Sequence, residues 1–437
     1  MALTRFLTAV RTRLEDPVAL VNTVIALIAV LAAFAAGEPA IVSAQTPSAQ
    51  AAAPATPLTY DAALDLATSR NLGLEAVRRQ RAIREAAIRI ARQLPNPDVS
   101  FELTRDTPHE TVGVDFPIEI GGKRSRRIDL ANEELTLADV DVRAELRAVR
   151  KELRQAFYSL VAGDARVTVA DSVLEISRRV RDAAQARFET GAAPRLEVLQ
   201  ADLGVTRAEA ELDLARSVRI AAQANLNAIL NLPPQQAVAV SGTLIDRTSA
   251  PAYPIALASA ITSNVDLLRL DREIAVEQRR ADLLRAERTP TPTFSLGAMF
   301  NNPEGDFNSG LSGAVSVGVP IFSRNQGEIA QSIATTSQLR AEREATTRDV
   351  ENTVFAIVAR IDAQRRQLDA YQQRLVPTAT DLESLAEESY RAGRTSILGV
   401  LDAQRSLRDL RREALQVMLD LQFSLADLEE ILGTTLP

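Results

Sequence analysis

Residues 126–190 read RRIDLANEELTLADVDVRAELRAVRKELRQAFYSLVAGDARVTVADSVLEISRRVRDAAQARFET, a long run without proline. Apolar residues recur in it at seven-residue spacing, in two series that lie four residues apart. The series are Leu146, Leu153, Leu160, Val167 and Leu174, and Ile128, Leu135, Val142, Val149 and Ala156. This pattern predicts a helix with a coiled-coil seam. Such a helix is roughly 95 Å long, and it must pack sideways on partners because it has no core of its own.

Composition favours an extended helical protein over several compact domains. The chain has 437 residues, only 4% of them aromatic, and no tryptophan. Its 50 basic and 57 acidic residues are interspersed, so there is no basic stripe for a phosphate backbone and we expect no nucleic-acid partner. With no cysteine and one histidine, we expect no metal site or cofactor. No phosphate-binding loop or nucleophile elbow is present, so we do not expect an enzyme.

The first residues have the order of a secretory signal. Arg5, Arg11 and Arg13 precede an apolar run at 18–36, which small residues at 42–44 follow. We predict a cleaved signal peptide at 1–44 and a linker of Ala, Pro, Gln, Ser and Thr at 45–57, with no cysteine for a lipid anchor. The alternative is a retained membrane anchor, since the apolar run can just span a bilayer.

The remainder reads as one structural unit written twice. The first unit, 58–232, has a helix, a β-hairpin at 97–118, the long helix at 124–190 and a return helix at 195–232. After a connection at 233–254, the second unit, 255–433, has a helix, a hairpin at 292–321, a long helix at 324–392 and a return helix at 396–432, before a tail at 434–437. Several anchors match at an offset of 202, among them Phe188 with Tyr390 and Gly191 with Gly393. We interpret this as a tandem duplication. Pro377 has no counterpart and predicts a kink.

The two hairpins are predicted to cross a membrane. Val99, Phe101 and Leu103 alternate with polar residues, and the other three strands alternate in the same way. Strands of eight to ten residues cross a bilayer when tilted. Soluble hairpins on a helical bundle are the alternative, but both hairpins lie at the same end of long rods, where no other apolar surface could cover them. Four strands cannot close a barrel and an open edge cannot stand in lipid, so the chain is expected to assemble through its sheet.

Several motifs resemble the TolC family of outer membrane efflux channels. They are PIEIGGKRSR at 117–126, PIFSRNQG at 320–327, RFETG at 187–191, YRAG at 390–393 and VLDAQ at 400–404. The likeness extends from about residue 58 to residue 433, and the GGKR and SRNQG junctions are most similar to the cobalt-zinc-cadmium efflux branch.

The resemblance implies a mainly α fold, a long antiparallel coiled-coil helical barrel with a small transmembrane β-barrel contribution of four strands per chain. Three chains would form a homotrimer with a twelve-stranded barrel in outer membrane lipid and a periplasmic tunnel. The implied function is a passive export duct for divalent heavy-metal cations, which a periplasmic adaptor and an inner-membrane pump of the resistance-nodulation-division (RND) type would supply. A multidrug or other small-molecule channel of the family remains an alternative. In another class, so does a periplasmic coiled-coil adaptor or tethering protein.

The resemblance also suggests candidate site residues. In the family, an acidic ring closes the periplasmic tip, and Asp402 matches one of its positions. A second position is Gly399 here, and its equivalent in the first unit is Glu197, so Asp402 and Glu197 are the candidate gate residues. Asp402 could instead be a solvated acid that the helix dipole favours. The candidate adaptor contacts are Arg187, Phe188, Gly191, Tyr390 and Gly393. Alternatively, these residues only form the turn between two helices, with glycine as a left-handed cap.

Basic residues cluster where the two long helices begin. A helix start disfavours cations, and long side chains that reach lipid phosphates would offset that cost. We therefore predict a membrane-interface role for five residues. These are Lys123, Arg124, Arg126, Arg127 and Arg324. His109 is expected to be a solvated residue of the outer turn.

Overall fold

The computed structural model describes residues 57–103, 110–246, 249–301 and 308–436. The predicted signal peptide and the predicted linker up to residue 56 lie outside the described residues, as do His109 and the rest of the first outer turn. Among the described residues, no helix is both long enough and apolar enough to cross a bilayer.

Helices make up most of the described chain, and two hairpins interrupt them. In chain order the elements are α1 (Tyr60–Arg70), α2 (Leu72–Arg92), β1 (Asp98–Leu103), β2 (Glu110–Pro117), α3 (Lys123–Glu189), α4 (Arg195–Ile229), α5 (Tyr253–Ser263), α6 (Val265–Glu287), β3 (Pro292–Asn301), β4 (Asn308–Val317), α7 (Gln326–Ala370), a π-helical turn (Tyr371–Leu375), α8 (Val376–Arg391) and α9 (Ile397–Leu432).

Helix α3 is the element on which the others pack. Helices α2 and α4 lie along it on the side of the first unit, and α6 and α9 lie along it on the side of the second. Of the residues at seven-residue spacing, five are buried: Val149, Leu153, Ala156, Leu160 and Leu174. They pack in clusters with residues of α4, which supplies the sideways support that a helix of this length requires.

A buried polar contact joins three segments near the middle of α3. The guanidinium of Arg154 lies 2.7 Å from a carboxylate oxygen of Glu429 in α9 and donates to the side-chain oxygen of Gln422. The Gln422 amide in turn donates to the backbone oxygens of Leu244 and Asp246 in the segment between α4 and α5. Arg154 is fully buried. The contact therefore fixes α3, α9 and the connecting segment to one another.

The second long helix differs from the continuous helix expected at 324–392. A π-helical turn, Tyr371–Leu375, separates α7 from α8, and Val376 donates its N–H to the oxygen of Tyr371, five residues earlier. Pro377 follows directly and has no N–H to donate to the carbonyl four residues before it. The wider turn accommodates that missing bond, so the break predicted at Pro377 takes the form of a π-helical turn just before it.

Other element bounds also differ from the sequence expectation. Helix α4 ends at Ile229 instead of residue 232, because Asn231 takes a left-handed conformation with φ of 53° and Pro233 cannot continue a helix. Helix α5 was not predicted and lies partly in the expected connection. Strands β3 and β4 also include residues 301 and 308–310. These Asn, Ser and Gly residues are typical of turns, but they pair with the neighbouring strand and so extend the sheet.

The four strands form one antiparallel sheet in the order β1-β2-β3-β4. The second hairpin pairs with the first through β2 and β3, with Val114 opposite Leu296 and Phe116 opposite Phe294. Strands β1 and β4 therefore lie at the edges, and each has one neighbouring strand within this chain.

Candidate functional site

The sheet has one apolar face. Directly paired residues of antiparallel strands lie on the same face, and the row from Phe101 through Val112 and Ala298 to Leu311 crosses all four strands. Apart from Glu110 at the end of β2, the described side chains on this face are apolar, and Gly313 also lies on it. They include Val99, Leu103, Val114, Phe116, Phe294, Leu296, Val315 and Val317. Most are exposed in the single chain, Leu311 by 95% and Val99 by 69%. A band of this kind requires an apolar environment.

The opposite face is polar and acidic. It carries mainly Ser, Thr, Gly and acidic residues, and the strands as described contain no lysine or arginine. Asp98 stands directly opposite Asp115, and Glu102 lies on the same face. Like charges at facing positions disfavour pairing. Water on this side would screen that repulsion, so the polar face is suited to contact with solvent.

The predicted basic cluster lies where the sheet joins the helices, and several hydrogen bonds hold Arg127 in place there. Its guanidinium binds both carboxylate oxygens of Glu119, at 2.7 and 3.1 Å. It also donates to the backbone oxygens of Ala91 and Gln93. The hydrogen bond from Arg127 holds the pKa of the Glu119 carboxyl below its usual value. Two of these contacts satisfy carbonyls at the C-terminus of α2, which a helix leaves without partners.

The other basic residues of the cluster also have local partners. Arg124 donates to the oxygen of Arg92, Lys123 to the hydroxyl of Thr291 at 2.5 Å, and Arg324 to the oxygen of Pro320. Arg126 lies 3.6 Å from Asp129. The cost of placing cations at a helix start is thus partly offset by the C-terminus of the antiparallel neighbour, where cations are favoured. Arg124 and Arg126 remain exposed, and lipid contact is compatible with these bonds.

The two helix turns at the far end of α3 and α8 have the same backbone geometry. Gly191 and Gly393 are left-handed, with φ of 76° and 69°. In the first turn Ala192 donates to the oxygen of Arg187, and in the second Arg394 donates to the oxygen of Ser389. Both bonds are of the kind that closes a helix C-terminus on a left-handed glycine. The sequence offset of 202 therefore relates the two turns bond by bond.

The structure brings together three of the candidate tip residues. The Tyr390 hydroxyl donates to Glu197 at 2.8 Å, and the guanidinium of Arg187 lies 4.5 Å from the centre of the Tyr390 ring. Arg187 also donates to the backbone oxygen of Tyr390. The Tyr390 side chain is 1% exposed and packs among Val180 and other small apolar residues. Burial, followed by the bond to Glu197, raises the pKa of Tyr390 to about 12.

The candidate tip residues differ in burial and in bonding, which the sequence did not indicate. Tyr390 is buried in the chain, so it supports the tip from inside, while Phe188 is 40% exposed. Glu197 is bound by Tyr390, whereas Asp402 is exposed and forms no ion pair among the described residues. The described contacts do not join Asp402 to Glu197. The sequence analysis missed the pairing of Tyr390 with Glu197. A signal was present, because the equivalent residues 202 positions away, Phe188 and Gly399, lack both the hydroxyl and the carboxylate.

These features define a class of protein: a channel subunit with a short two-faced sheet at one end of long helices and closed helix turns at the other. The outer membrane efflux protein family matches the chain twice, over residues 63–232 and 256–434, and the chain belongs to this family. The family consists of channels. The periplasmic adaptor alternative is therefore not supported.

Individual relatives agree with this assignment. The cobalt-zinc-cadmium resistance protein CzcC of Cupriavidus metallidurans is 29% identical over 87% of this chain and 91% of its own length. The pyoverdine export outer membrane protein OpmQ of Pseudomonas putida is 26% identical over 75% of this chain and 71% of its own length. The fold is similar to the crystal structure of CusC, with a TM-score of 0.71 and 18% identity over 91% of this chain and 98% of CusC.

Proposed function

We propose that this outer membrane efflux channel is a passive duct through which divalent heavy-metal cations leave the cell. An inner-membrane RND pump would supply the cations through a periplasmic adaptor. The observation that carries the proposal is the two-faced sheet, in which an apolar row crosses all four strands and three of the four acidic side chains of the strands lie on the other face. Strands that alternate in this way separate lipid from a polar lumen. Strand β3, with ten residues, is about 33 Å long and spans roughly 25 Å when tilted.

Assembly follows from the two sheet edges. The backbone groups at the outer sides of β1 and β4 need partners in lipid, where each unsatisfied group costs several kcal/mol. We propose that β4 of one copy pairs with β1 of the next in a homotrimer, which closes a twelve-stranded barrel. The helices of the three copies then form the periplasmic tunnel. The matching tip turns and the double family match support a tandem duplication as the origin of the two halves.

Heavy-metal cations are the substrate that the observations favour. The CzcC relative is a cobalt-zinc-cadmium resistance protein, and the acidic lumen face suits divalent cations. We propose no metal site in the duct itself, since the pump would select the ion. The OpmQ relative favours a second candidate, export of a siderophore or another small molecule, by a similar assembly.

The remaining roles follow from position. The tip residues Arg187, Gly191 and Gly393 are proposed to face the adaptor, with Asp402 and Glu197 at the gate. The basic cluster at the sheet-helix junction is proposed to contact lipid headgroups with its exposed members. Export would depend on the predicted signal peptide.

Growth assays test the substrate. A strain that lacks this channel but retains its pump and adaptor should lose tolerance to Co²⁺, Zn²⁺ and Cd²⁺, and the wild-type chain should restore it. Unchanged metal tolerance with a loss of siderophore secretion would replace the first candidate with the second.

Two neighbouring substitutions test the sheet. Phe101→Arg places a charge on the proposed lipid face and should remove the heat-modifiable oligomer from outer membranes, because a charge at mid-membrane costs about 2–4 kcal/mol. Ser100→Arg, on the lumen face of the same strand, is the matched control and should preserve the oligomer. Equal behaviour of the two variants would contradict a membrane-crossing sheet.

A further inference from the structure

Equivalent residues of the two helix turns differ in burial. Tyr390 of the second unit is 1% exposed, while Phe188, its counterpart 202 residues earlier, is 40% exposed. The surface on which Tyr390 packs includes Val180, which is 2% exposed, and the counterpart of Val180 is Leu382, which is 52% exposed. The first unit thus exposes the aromatic ring of Phe188, and the second unit exposes the equivalent apolar surface at Leu382.

The two rings also differ in their hydrogen-bonding groups. Tyr390 has a hydroxyl, and Glu197 accepts its hydrogen bond. Phe188 has no hydroxyl, and the residue at the counterpart position of Glu197 is Gly399, which has no acceptor side chain. If the ring of Phe188 packs beside Gly399, no carboxylate is buried there without a hydrogen-bond donor. The exposed surface at Leu382 is therefore suited to the ring of Phe188.

We propose that Phe188 of one copy packs on Leu382 of a second copy of this chain, beside Ser389 and Gly399. The contact within one chain, in which Tyr390 of α8 packs with residues of α3, α4 and α9, provides its template. A ring of copies would repeat this contact between the first unit of one copy and the second unit of the next. The inference rests on the proposed assembly of copies and deepens it.

The two kinds of tip contact are then unequal. The contact within a chain has the hydrogen bond from Tyr390 to Glu197 and the guanidinium of Arg187 over the ring. The contact between copies has Ser389 at the position equivalent to Arg187, so it relies on apolar packing. When the tip opens, the contact between copies should separate before the contact within a chain.

Disulfide cross-linking tests the contact, because the chain contains no cysteine. The variant Phe188→Cys with Leu382→Cys, purified in detergent and oxidised, should migrate on non-reducing gels as covalent multimers. The variant Val180→Cys with Tyr390→Cys is the control related by the offset, and it should close within the chain and migrate as a monomer.

Light scattering of the same samples separates the two levels of the argument. If copies assemble but Phe188→Cys with Leu382→Cys stays monomeric while the control closes, the proposed contact is wrong and the channel assembly stands. If the control variant also forms no disulfide, the contact of Tyr390 with Val180 within the chain is wrong, and the inference drawn from it is wrong as well. If the wild-type chain is a monomer in detergent, the proposed assembly and this contact both fail.

A gain-of-contact variant gives an independent measurement. Phe188→Tyr with Gly399→Glu should recreate between copies the bond that Tyr390 makes within one. A Cβ built at Gly399 meets only Thr395 Oγ1, at 3.1 Å, among the described atoms outside its own helix backbone. We expect the double variant to dissociate on heated gels at a temperature several degrees above the value expected from the two single variants. Additive effects would contradict the proposed proximity.

Discussion

Replacing Tyr390 with phenylalanine should loosen the tip while leaving its packing intact. The substitution removes only the hydroxyl, which donates to Glu197 at 2.8 Å from a side chain that is 1% exposed. A hydrogen bond to a charged group contributes about 1.5–3 kcal/mol. Local opening of the tip should therefore become roughly 10- to 150-fold more frequent, since about 1.4 kcal/mol changes an equilibrium constant tenfold.

Hydrogen exchange measured by mass spectrometry reports this opening directly, because local opening sets the protection of the amides involved. Protection should fall by that factor in peptides covering residues 386–400, and remain unchanged near Arg154. Tyr371→Phe is the matched control. It removes a similar bond, 2.9 Å long, from the Tyr371 hydroxyl to Glu413, but at an exposed site, where we expect a smaller effect. Equal protection of the tip in wild type and Tyr390→Phe would refute the reasoning.

The pH dependence of the tip gives a second test of the role of the buried Tyr390 hydroxyl. The pKa of Tyr390 is raised from 10.0 to about 12, by burial first and then by Glu197. A group whose pKa is higher in the folded state stabilises that state fully below its unfolded pKa. The contribution of Tyr390 should therefore be complete below about pH 10 and disappear between about pH 10 and 12. Two pKa units correspond to about 3 kcal/mol. Tyr390→Phe should lack this alkaline step in tip protection.

Three further substitutions test other parts of the chain. Arg127→Ala should lower the free energy of unfolding by about 1–3 kcal/mol, and because Glu119 has a lowered pKa when folded, the deficit should shrink in chemical denaturation as pH falls below about 4.5. Asp402→Asn should weaken divalent-cation block in planar bilayers; an unchanged response would remove Asp402 from the gate. Arg154→Ala should cost about 3–5 kcal/mol, because it leaves Glu429 without its buried partner, and Glu429→Gln in the same chain should recover part of the lost thermal midpoint.

The rods and strands were predictable because local signals mark them. Helix α3 begins at Lys123 after two left-handed glycines and ends before a third, Gly191, close to the 124–190 expected from the sequence. The alternation in the hairpins likewise predicted which residues share a face. Such signals reside within a few residues of the chain and do not depend on a partner.

The contacts of the candidate sites were less predictable because they join distant residues. Tyr390 and Glu197 are 193 positions apart, and neither periodicity nor motif indicates that they meet. The interpretation of Arg127 as a lipid contact missed its bonds to carbonyls of α2, since only the antiparallel packing of α2 on α3 brings these groups together. The π-helical turn before Pro377 was predicted as a kink, because proline identifies the lost hydrogen bond but not how the backbone accommodates it.

A periodic seam cannot by itself fix which residues meet at the tip. Sliding α3 by seven residues, about 10 Å, would again place apolar side chains opposite apolar side chains. The same slide would move Arg154 away from Glu429 and Gln422, and breaking a buried ion pair costs about 3–5 kcal/mol. Non-repeating polar contacts therefore select one register from several that the apolar residues allow. Because α3 is one continuous helix from Lys123 to Glu189, this choice at its middle also places Arg187 and Tyr390 in contact at its end.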